Sequence, residues 1–384
     1  MHALFWSAFG LLSFSYLGYP LLLLAWSRIA AVAARPVPSP SVSSMPPVAV
    51  VLSAFNEQVH IAARIENLRA QSYPREKVTI YVGSDGSTDR TLSILDELKS
   101  PDLRVFGFAA RRGKASVLND LLAHIEAPVC VFTDANVLFE PDAIQRLVDS
   151  MLESRAGAAC GELLLQDSAG DNVDSLYWRI ERMMKRMEGR LGGLLGANGA
   201  IYAIRSELYE PLPADTIIDD FVIVMRIASR GHPLVYAPAA RALEDTPDNI
   251  EDEFRRRVRI GIGNYQALFR YPQFLFRVSM TRALCYGFHK LLRWFGPHLL
   301  LVMLVSALVS YDDPVYRSLF WAQLLGYALL LVANAVRGRV RLPKWLLGVL
   351  LLAGLNLAFA VAFWRYLCND AQGQWSRTAR RMTP

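Results

Sequence analysis

The stretch Val129-Cys130-Val131-Phe132-Thr133-Asp134-Ala135-Asn136 runs from four apolar residues into Thr133, Asp134 and Asn136. A short apolar run that ends in polar residues is typical of a buried strand. Ligands of open α/β sheets bind outside the carboxyl ends of such strands. Asp134 and Asn136 would face the same side of an extended chain and could ligate a hard cation through oxygen. Capping of the next turn explains Asp134 equally well when it is taken alone, because Asp and Asn are favoured in turns.

Strands and helices are predicted to alternate on both sides of this stretch. Apolar runs of strand length occur at 48–53, 78–82, 103–106, 129–133 and 200–204. Segments with helical spacing of apolar residues occur at 59–70, 91–98, 113–124, 143–153, 174–191 and 220–230. The alternation predicts an α/β fold with a mostly parallel sheet and right-handed crossovers. About 225 residues of soluble sequence are enough to bury a full core.

Four apolar segments are close to the length that spans a bilayer. They lie at 4–26, 294–310, 319–336 and 345–364. The first has no basic n-region and no small-residue cleavage site, so we favour a retained anchor over a signal peptide. Segment 274–293 mixes large apolar residues with Arg and Lys. This mixture favours an interfacial helix over the cytoplasmic end of a tilted span.

Positive charge is concentrated beside the apolar segments of this chain, whose formal net charge is +6. That distribution suits the anionic cytoplasmic leaflet and argues against nucleic acid as a partner. Arg28 and Arg35 after the first span, and the basic stretch 337–344, predict that the soluble part is cytoplasmic. The basic tail conflicts with this topology, because four spans would place it outside. The scattered cysteines and histidines predict a reducing compartment and no zinc site.

These signals predict an integral membrane protein with about four spans. They divide the chain into an N-terminal transmembrane helix (1–27), a Pro- and Ser-rich linker (28–47), a soluble domain (46–270), an interfacial helix (271–293), three transmembrane helices (294–364) and a C-terminal tail (365–384).

Acidic residues recur where strands or apolar runs end. Asp85 ends the second predicted strand, and Asp219 and Asp220 follow the apolar pair Ile217-Ile218 at the start of a predicted helix. Helix capping alone would explain any one of them. Together with Asp134 they are harder to explain in that way, because the carboxyl ends of neighbouring parallel strands meet at one edge of a sheet. The pattern therefore predicts one functional centre at that edge.

At this point the chain, from Val48 to about Leu268 and with its flanking spans, resembles the family 2 glycosyltransferases of GT-A fold. The resemblance is to the membrane-embedded group that includes cellulose, hyaluronan, chitin and poly-N-acetylglucosamine synthases. The motifs that carry it, by their order and spacing, are Ala54-Phe55-Asn56-Glu57, Ser84-Asp85-Gly86-Ser87-Thr88-Asp89, Gly113-Lys114-Ala115, Thr133-Asp134-Ala135-Asn136, Gly196-Ala197-Asn198-Gly199-Ala200, Asp219-Asp220 and Arg256-Arg257-Val258-Arg259-Ile260.

The resemblance implies a role for each of these motifs. The residues that would hold the donor nucleotide are Ala54, Asn56, Glu57, Asp85, Lys114 and Asp134. Asp134, helped by Asn136, would bind Mg²⁺ or Mn²⁺ on the diphosphate. Asp220, preceded by Asp219, would be the catalytic base. The residues that would shape the acceptor side or close over the diphosphate are Gly196, Asn198, Gly199, Arg256, Arg257 and Arg259.

These residue types suit an inverting displacement. A divalent cation and Arg side chains neutralise the charge that develops on a departing diphosphate. One carboxylate within hydrogen-bond reach takes the proton of the acceptor hydroxyl. A second carboxylate nucleophile, as in a retaining hydrolase, is not needed.

The chain departs from the family pattern at three places. Asn136 stands where many members have a second Asp, and Asp219 stands where they have Glu. Arg256 and Ile260 replace the Gln and the Trp of the family's arginine motif. In polymerising members that Trp supports the terminal sugar of the acceptor, so polymer synthesis and single-sugar transfer both stay open.

The expected function is metal-assisted transfer from a UDP-sugar to a polysaccharide or lipid-linked acceptor at the cytoplasmic face of the cell membrane. Membrane lipids and polysaccharide export proteins are the expected further partners. One alternative is an inactive scaffold subunit of a polysaccharide assembly, which the intact Asp85, Asp134 and Asp220 argue against. Another is a membrane-anchored nucleotidyltransferase, which would need a basic nucleotide-binding loop that 53–57 does not offer.

Overall fold

A computed structural model describes residues 1–33, 45–166, 176–245, 250–337, 339–340 and 342–369. Most of the predicted linker and of the predicted C-terminal tail lie outside the described residues. So does the basic residue Arg341, which contributed to the predicted topology.

The strands of the described residues form a single sheet. They are β1 (Val48–Ala54), β2 (Val78–Asp85), β3 (Leu103–Phe108), β4 (Val129–Phe132), β5 (Val137–Phe139), β6 (Ala158–Gln166), β7 (Tyr202–Arg205) and β8 (Leu234–Asp245). Their order across the sheet is β3-β2-β1-β4-β7-β6-β8-β5.

The first half of the sheet has the predicted parallel arrangement. β1 pairs in parallel with both β2 and β4, so that Val48 is level with Val78 and with Val129. Each residue from Val48 to Leu52 is at most 1% exposed. A strand covered on both faces reads as a continuous apolar run rather than an alternation, as this one does.

The second half of the sheet mixes directions. β7 is antiparallel to β4 and to β6, β8 runs parallel to β6, and β5 is antiparallel to β8. The sequence analysis did not predict β5, β6 or β8. Ala and Gly in β6 and Pro238 in β8 have low strand propensity, so these strands form because their neighbours offer a pairing edge.

The helices of the soluble part cover both faces of the sheet. They are α3 (Ile61–Arg69), α4 (Thr91–Glu97), α5 (Lys114–Leu122), α6 (Ala143–Glu153), α7 (Leu176–Arg190), α8 (Asp219–Ser229) and α9 (Ile250–Arg270). On one face Leu52 and Val82 pack with Ile65 and Leu147. On the other face Val51 belongs to a core with residues of α5 and α8. Neighbouring residues of β1 enter opposite cores because strand side chains alternate.

The remaining helices include those long and apolar enough to cross a membrane. They are α1 (His2–Ser13), α2 (Tyr19–Ala33), α10 (Gln273–Phe276), α11 (Met280–Cys285), α12 (Leu292–Trp294), α13 (Gly296–Val309), α14 (Pro314–Val336) and α15 (Lys344–Leu367), with π-helical turns at Phe14–Gly18 and Tyr286–Leu291. Three described helices meet the length and composition of a span, or four if the bent pair around Phe295 is one span. The predicted number was about four.

The predicted span at 294–310 coincides with α13, one half of the bent pair. α13 has only 14 residues and lies at 60° to the helical run that ends at Trp294. That run, Met280–Trp294, falls in the predicted interfacial segment, and its Cys285 and Tyr286 are buried in the core shared with the soluble part. Its position on the membrane surface stays a prediction.

The soluble part and the last spanning helix are packed closely together. A Cβ atom added to Gly261 of α9 would lie 2.7 Å from Cβ of Ala362 in α15. Ala358 and Ala362 belong to the same core as Phe221 and Val258. This contact packs α15, one of the candidate spans, against α9 and the core below the sheet.

Candidate active site

The loop after β1 is tied to the loop after β2. The backbone N–H of Asn56 donates to Ser87 Oγ at 3.2 Å, and Asn56 Oδ1 accepts from the Thr88 N–H at 2.8 Å. Glu57 N–H donates to Thr91 Oγ1 at 2.8 Å. Asn56 has a φ of 55°, a conformation that Asn tolerates better than most residues. Asn56 therefore holds the two loops together.

Asp85 organises the turn that leads into α5. Its Oδ1 accepts from the Arg112 N–H at 2.7 Å and its Oδ2 from the Gly113 N–H at 2.9 Å. The Arg111 guanidinium in this turn lies 3.9 Å from the centroid of the Phe55 ring. The sequence analysis did not predict this stacked pair, since Arg111 and Phe55 are far apart in the chain.

Lys114 brings two of the predicted acidic sites together. Its Nζ lies 3.0 Å from Asp134 Oδ1 and 3.2 Å from Asp219 Oδ2. Burial lowers the pKa of Lys114, but the carboxylates of Asp134, Asp219 and Asp220 outweigh burial and raise the pKa above its ordinary value. The ammonium group is therefore held in its charged form between two carboxylates.

Asp220 is the acidic residue of the site whose pKa is raised. Burial and the neighbouring Asp219 raise the pKa of Asp220 to about 6, while Lys114 opposes the rise. Its Oδ1 accepts from the Phe221 N–H at 2.8 Å. A Cβ atom on Gly199 would lie 3.4 Å from Asp220 Oδ2, so the loop runs directly past the carboxylate. A carboxylate with such a pKa can take a proton near neutral pH.

Asn136 faces a buried acid that the sequence analysis missed. Asn136 Nδ2 donates to Glu244 Oε1 at 3.5 Å, and Glu244 Oε2 lies 3.8 Å from Arg256 Nη2. Glu244 is 4% exposed and lies near the end of β8. The sequence of β8 has no strand-like periodicity, so no local signal could have identified Glu244. Glu244 connects Asn136, after β4, with Arg256 of α9.

The described residues contain no group of three His, Cys, Asp or Glu side chains that could hold a metal ion. Asp134 is nevertheless a partly exposed carboxylate in the cleft, and the Asn136 amide follows two residues later. Mg²⁺ is commonly held by one or two carboxylates together with substrate phosphates and water. The residues present fit that mode of binding and do not form an all-protein cage.

The three arginines of α9 have different surroundings. Arg257 Nε donates to Glu253 Oε1 at 2.7 Å within its own helix. Arg256 pairs with Glu244, which raises the pKa of its guanidinium. Arg259 lines the cleft, and among the described residues it has no hydrogen bond or ion pair. Burial and Arg256 lower the pKa of Arg259, although the carboxylates of Asp219, Asp134 and Asp220 oppose this fall.

The glycine-rich loop before β7 forms the other wall. Gly196 has a φ of 68°, and a Cβ atom there would lie 2.7 Å from the Phe221 ring. Asn198 Nδ2 donates to the carbonyl of Gly161 at 3.3 Å, and Asn198 Oδ1 accepts from Lys185 Nζ at 3.0 Å. Lys185 was not predicted as part of the site. The roles assigned to the predicted site residues stay predictions.

Most of these groups line one cleft of about 1340 Å³, but the predicted site residues Ala54, Asn56 and Gly196 are not among its lining residues. It begins at Phe55 and Asp85, passes Asp134 and Asp220, and continues to the apolar residues of α15, among them Leu351. Ordinary small-molecule pockets have about 300–1000 Å³, so this cleft is large enough for two substrates.

Two family models match the chain. They are Glycosyl transferase family 2, over residues 49–210, and Glycosyl transferase family group 2, over residues 131–368. The chain is 24% identical over 265 residues to the Probable glycosyltransferase YdaM of Bacillus subtilis (strain 168), which covers 63% of this chain and 61% of the relative. It is 22% identical over 241 residues to a Poly-beta-1,6-N-acetyl-D-glucosamine synthase of Staphylococcus aureus (strain COL). That match covers 61% of this chain and 58% of the relative. The chain thus spans about three fifths of the length of these curated relatives.

A solved structure shares the fold over almost the whole length. It is the mannosyltransferase PcManGT from Pyrobaculum calidifontis in complex with GDP-Man and Mn2+, with a TM-score of 0.71 and 20% sequence identity. The match covers 96% of this chain and 99% of the other.

Proposed function

The chain belongs to glycosyl transferase family 2, and from that premise we propose that it is an inverting, membrane-bound enzyme with a lipid-linked acceptor. Its predicted class, a glycosyltransferase of GT-A fold, is confirmed by the family models and the structural neighbour. The proposed donor is a UDP-sugar and the proposed location is the cytoplasmic face of the cell membrane.

The single observation that carries the proposal is the position of Asp220. Its carboxylate lies in the cleft beside the Gly199 loop, with a pKa of about 6. Lys114 pairs with the neighbouring Asp219, while burial and the charge of Asp219 raise the basicity of Asp220. A lone base of this kind can take the proton of an acceptor hydroxyl during one in-line displacement.

Asp134 and Asn136 are the residues that would hold Mg²⁺ or Mn²⁺ together with the donor diphosphate. When bound, the cation would offset the charge that develops on the leaving diphosphate. Arg259 and Arg256 approach the same region from α9 and would contact the diphosphate oxygens. The structural neighbour is a complex with GDP-Man and Mn2+, which supports a sugar nucleotide and a divalent cation here.

The shape of the cleft favours an acceptor that enters from the membrane. The cleft continues from Asp220 to Leu351 and Leu355 on α15, a helix apolar enough to span a bilayer. Ile260, where the polymerising enzymes have Trp, also lines it. These features support single-sugar transfer to a lipid-linked glycan over synthesis of a free polymer.

The test compares Asp220→Asn with Asp142→Asn, a carboxylate on the surface that pairs with Arg146 outside the cleft. Release of nucleoside diphosphate would be measured with a panel of UDP-sugars and with GDP-mannose, using membrane lipid extract as acceptor source. We expect Asp220→Asn to lose about 10²–10⁴-fold in rate and to retain nucleotide binding by calorimetry with Mn²⁺. Asp142→Asn should behave as wild type.

Near-normal turnover of Asp220→Asn would show that another group is the base. If the wild-type chain binds no nucleotide with or without Mn²⁺, the result favours an inactive scaffold subunit over an enzyme.

A further inference from the structure

A buried arginine contacts segment 133–139, the stretch of chain that carries Asp134 and Asn136. Arg64 belongs to α3, is fully buried and is not among the residues that line the cleft. The hydrogen-bond acceptors of its guanidinium are two uncharged side-chain oxygens. Burial lowers the pKa of this guanidinium, and the charge of Asp134 opposes the fall. The buried cation is therefore stabilised by neutral acceptors and by the charge of Asp134.

Arg64 and Asn67, one helical turn apart, hold both ends of segment 133–139. At the first end, Arg64 Nη2 donates to Thr133 Oγ1 at 2.7 Å. At the other end, the Arg64 guanidinium lies 4.2 Å from the centroid of the Phe139 ring. Asn67 donates from Nδ2 to the Phe139 carbonyl and accepts from the Phe139 N–H, both at 2.9 Å. Arg64 also donates to Asn67 Oδ1, so the two side chains form one connected clamp on the segment.

The Thr133 hydroxyl extends this contact to the glycine-rich loop. Thr133 is buried, and its Oγ1 donates to the carbonyl of Ala200 at 2.9 Å while it accepts from Arg64. A hydroxyl can accept one hydrogen bond while it donates another. The residue before Ala200 is Gly199, where an added Cβ atom would lie 3.4 Å from Asp220 Oδ2. Two hydrogen bonds therefore connect Arg64 to the loop beside the proposed base.

We propose that Arg64 is a positioning residue for sugar transfer, which fixes segment 133–139 and, through Thr133, sets that segment relative to the loop beside Asp220. Arg suits this task because its planar guanidinium presents several N–H donors in a rigid arrangement. A displacement of reacting groups by about 1 Å can reduce a rate by about 10²-fold. This inference rests on the proposed function, because it assumes that Asp134 and Asp220 act in transfer.

The test combines amide hydrogen exchange with steady-state kinetics on the full chain in detergent. Exchange is followed by mass spectrometry, without metal or nucleotide, on peptides that cover segment 133–139. Release of nucleoside diphosphate in the presence of Mn²⁺ gives kcat and the KM for the donor. The midpoint of thermal unfolding shows whether each variant is folded.

The variants separate positioning from general packing. Arg64→Met keeps an unbranched side chain and removes every N–H donor. Thr133→Val keeps the shape and removes the hydroxyl, whereas Thr133→Ser keeps the hydroxyl. The matched control is Arg69→Met on the same helix. The Arg69 guanidinium donates to the carbonyl of Leu98 at 2.8 Å and pairs with Glu66, and it does not line the cleft.

We expect Arg64→Met and Thr133→Val to exchange segment 133–139 about tenfold faster, which corresponds to about 1.4 kcal/mol in the local opening equilibrium. Their kcat should fall by about 10²-fold, a larger change than the rise in donor KM. Thr133→Ser should exchange and turn over as wild type. Arg69→Met should lower the midpoint of thermal unfolding and leave kcat and the exchange of the segment unchanged. Thr133→Val decides the question if Arg64→Met does not fold.

Wild-type exchange of segment 133–139 in the folded variants would overturn the positioning role, and so would faster exchange at wild-type kcat. An equal loss of kcat in Thr133→Ser or Arg69→Met would also overturn it, because general loosening would then be the cause. If the wild-type chain released no nucleoside diphosphate, the proposed function would fail. Exchange in the metal-free chain would still decide whether Arg64 fixes the segment, so the two failures can be distinguished.

Discussion

Replacement of Lys114 by methionine would remove the ammonium group that lies between Asp134 and Asp219, at 3.0 Å and 3.2 Å. Removal of one partner from a fully buried ion pair costs about 3–5 kcal/mol. Here the side chains of Lys114 and Asp134 are 31% and 32% exposed, so water screens part of this interaction. We therefore expect a loss of about 2 kcal/mol in the free energy of unfolding.

For a domain of this size that loss corresponds to a fall of about 4–8 °C in the midpoint of thermal unfolding. The assay is intrinsic tryptophan fluorescence of the full chain in detergent at pH 8, without nucleotide. Added Mn²⁺ should stabilise Lys114→Met more than wild type, because Asp134 is then no longer occupied by the lysine. Stabilisation follows RT ln(1 + [L]/Kd), so a tenfold gain in affinity adds at most about 1.4 kcal/mol.

The matched control is Lys99→Met. Lys99 is 61% exposed and pairs with Asp96 on the surface, so its loss should change stability by less than about 0.5 kcal/mol. If Lys114→Met unfolds at the wild-type temperature and gains nothing extra from Mn²⁺, Lys114 is not the counter-charge of the acidic cluster.

Three further outcomes can be measured. Asp220 must be deprotonated to act as a base, and its pKa is raised to about 6, so the transfer rate should fall about tenfold per pH unit below that value. A rate profile from pH 5 to 8 would check this, and a flat profile would contradict the role of Asp220 as the base. Glu244→Gln removes the carboxylate that orients the Arg256 guanidinium, and a misplaced guanidinium should bind the donor diphosphate less well. We therefore expect a rise of about tenfold in KM for the donor with little change in kcat, measured by steady-state kinetics; a loss confined to kcat would contradict this positioning role. Gly261→Leu should lower the free energy of unfolding by about 1–3 kcal/mol, because the larger side chain forces α9 away from α15. Gly326→Leu should not, because the space around Gly326 is open. Equal midpoints of thermal unfolding for the two variants would refute this packing argument.

The apolar strands and their acidic ends could be predicted because both are local patterns. The predicted strand 129–133 is β4 (Val129–Phe132), and β2 ends on Asp85 as expected. The order β2-β1-β4 places the carboxyl ends of β2 and β4 at one edge. The strand–helix alternation indicates parallel pairing with crossovers, but the position of β4 beside β1 was not predicted.

The second half of the sheet could not be predicted in the same way. β8 contains Ala237, Pro238, Ala239 and Ala240, residues with little preference for strands. It forms a strand because β6 and β5 lie on either side of it. Pairing partners that are distant in sequence leave no local periodicity, so Glu244 on this strand was missed.

The sequence by itself determined the family, the apolar strands of the parallel half-sheet, and the apolar helices that can span a membrane, because each can be recognised from motif order, composition or length. Only the tertiary structure decided that Lys114 pairs with Asp219 and that burial and Asp219 together raise the pKa of Asp220. It also decided that Asn136 faces Glu244. Electrostatic effects depend on distance in space and on burial, and neither can be read from spacing along the chain.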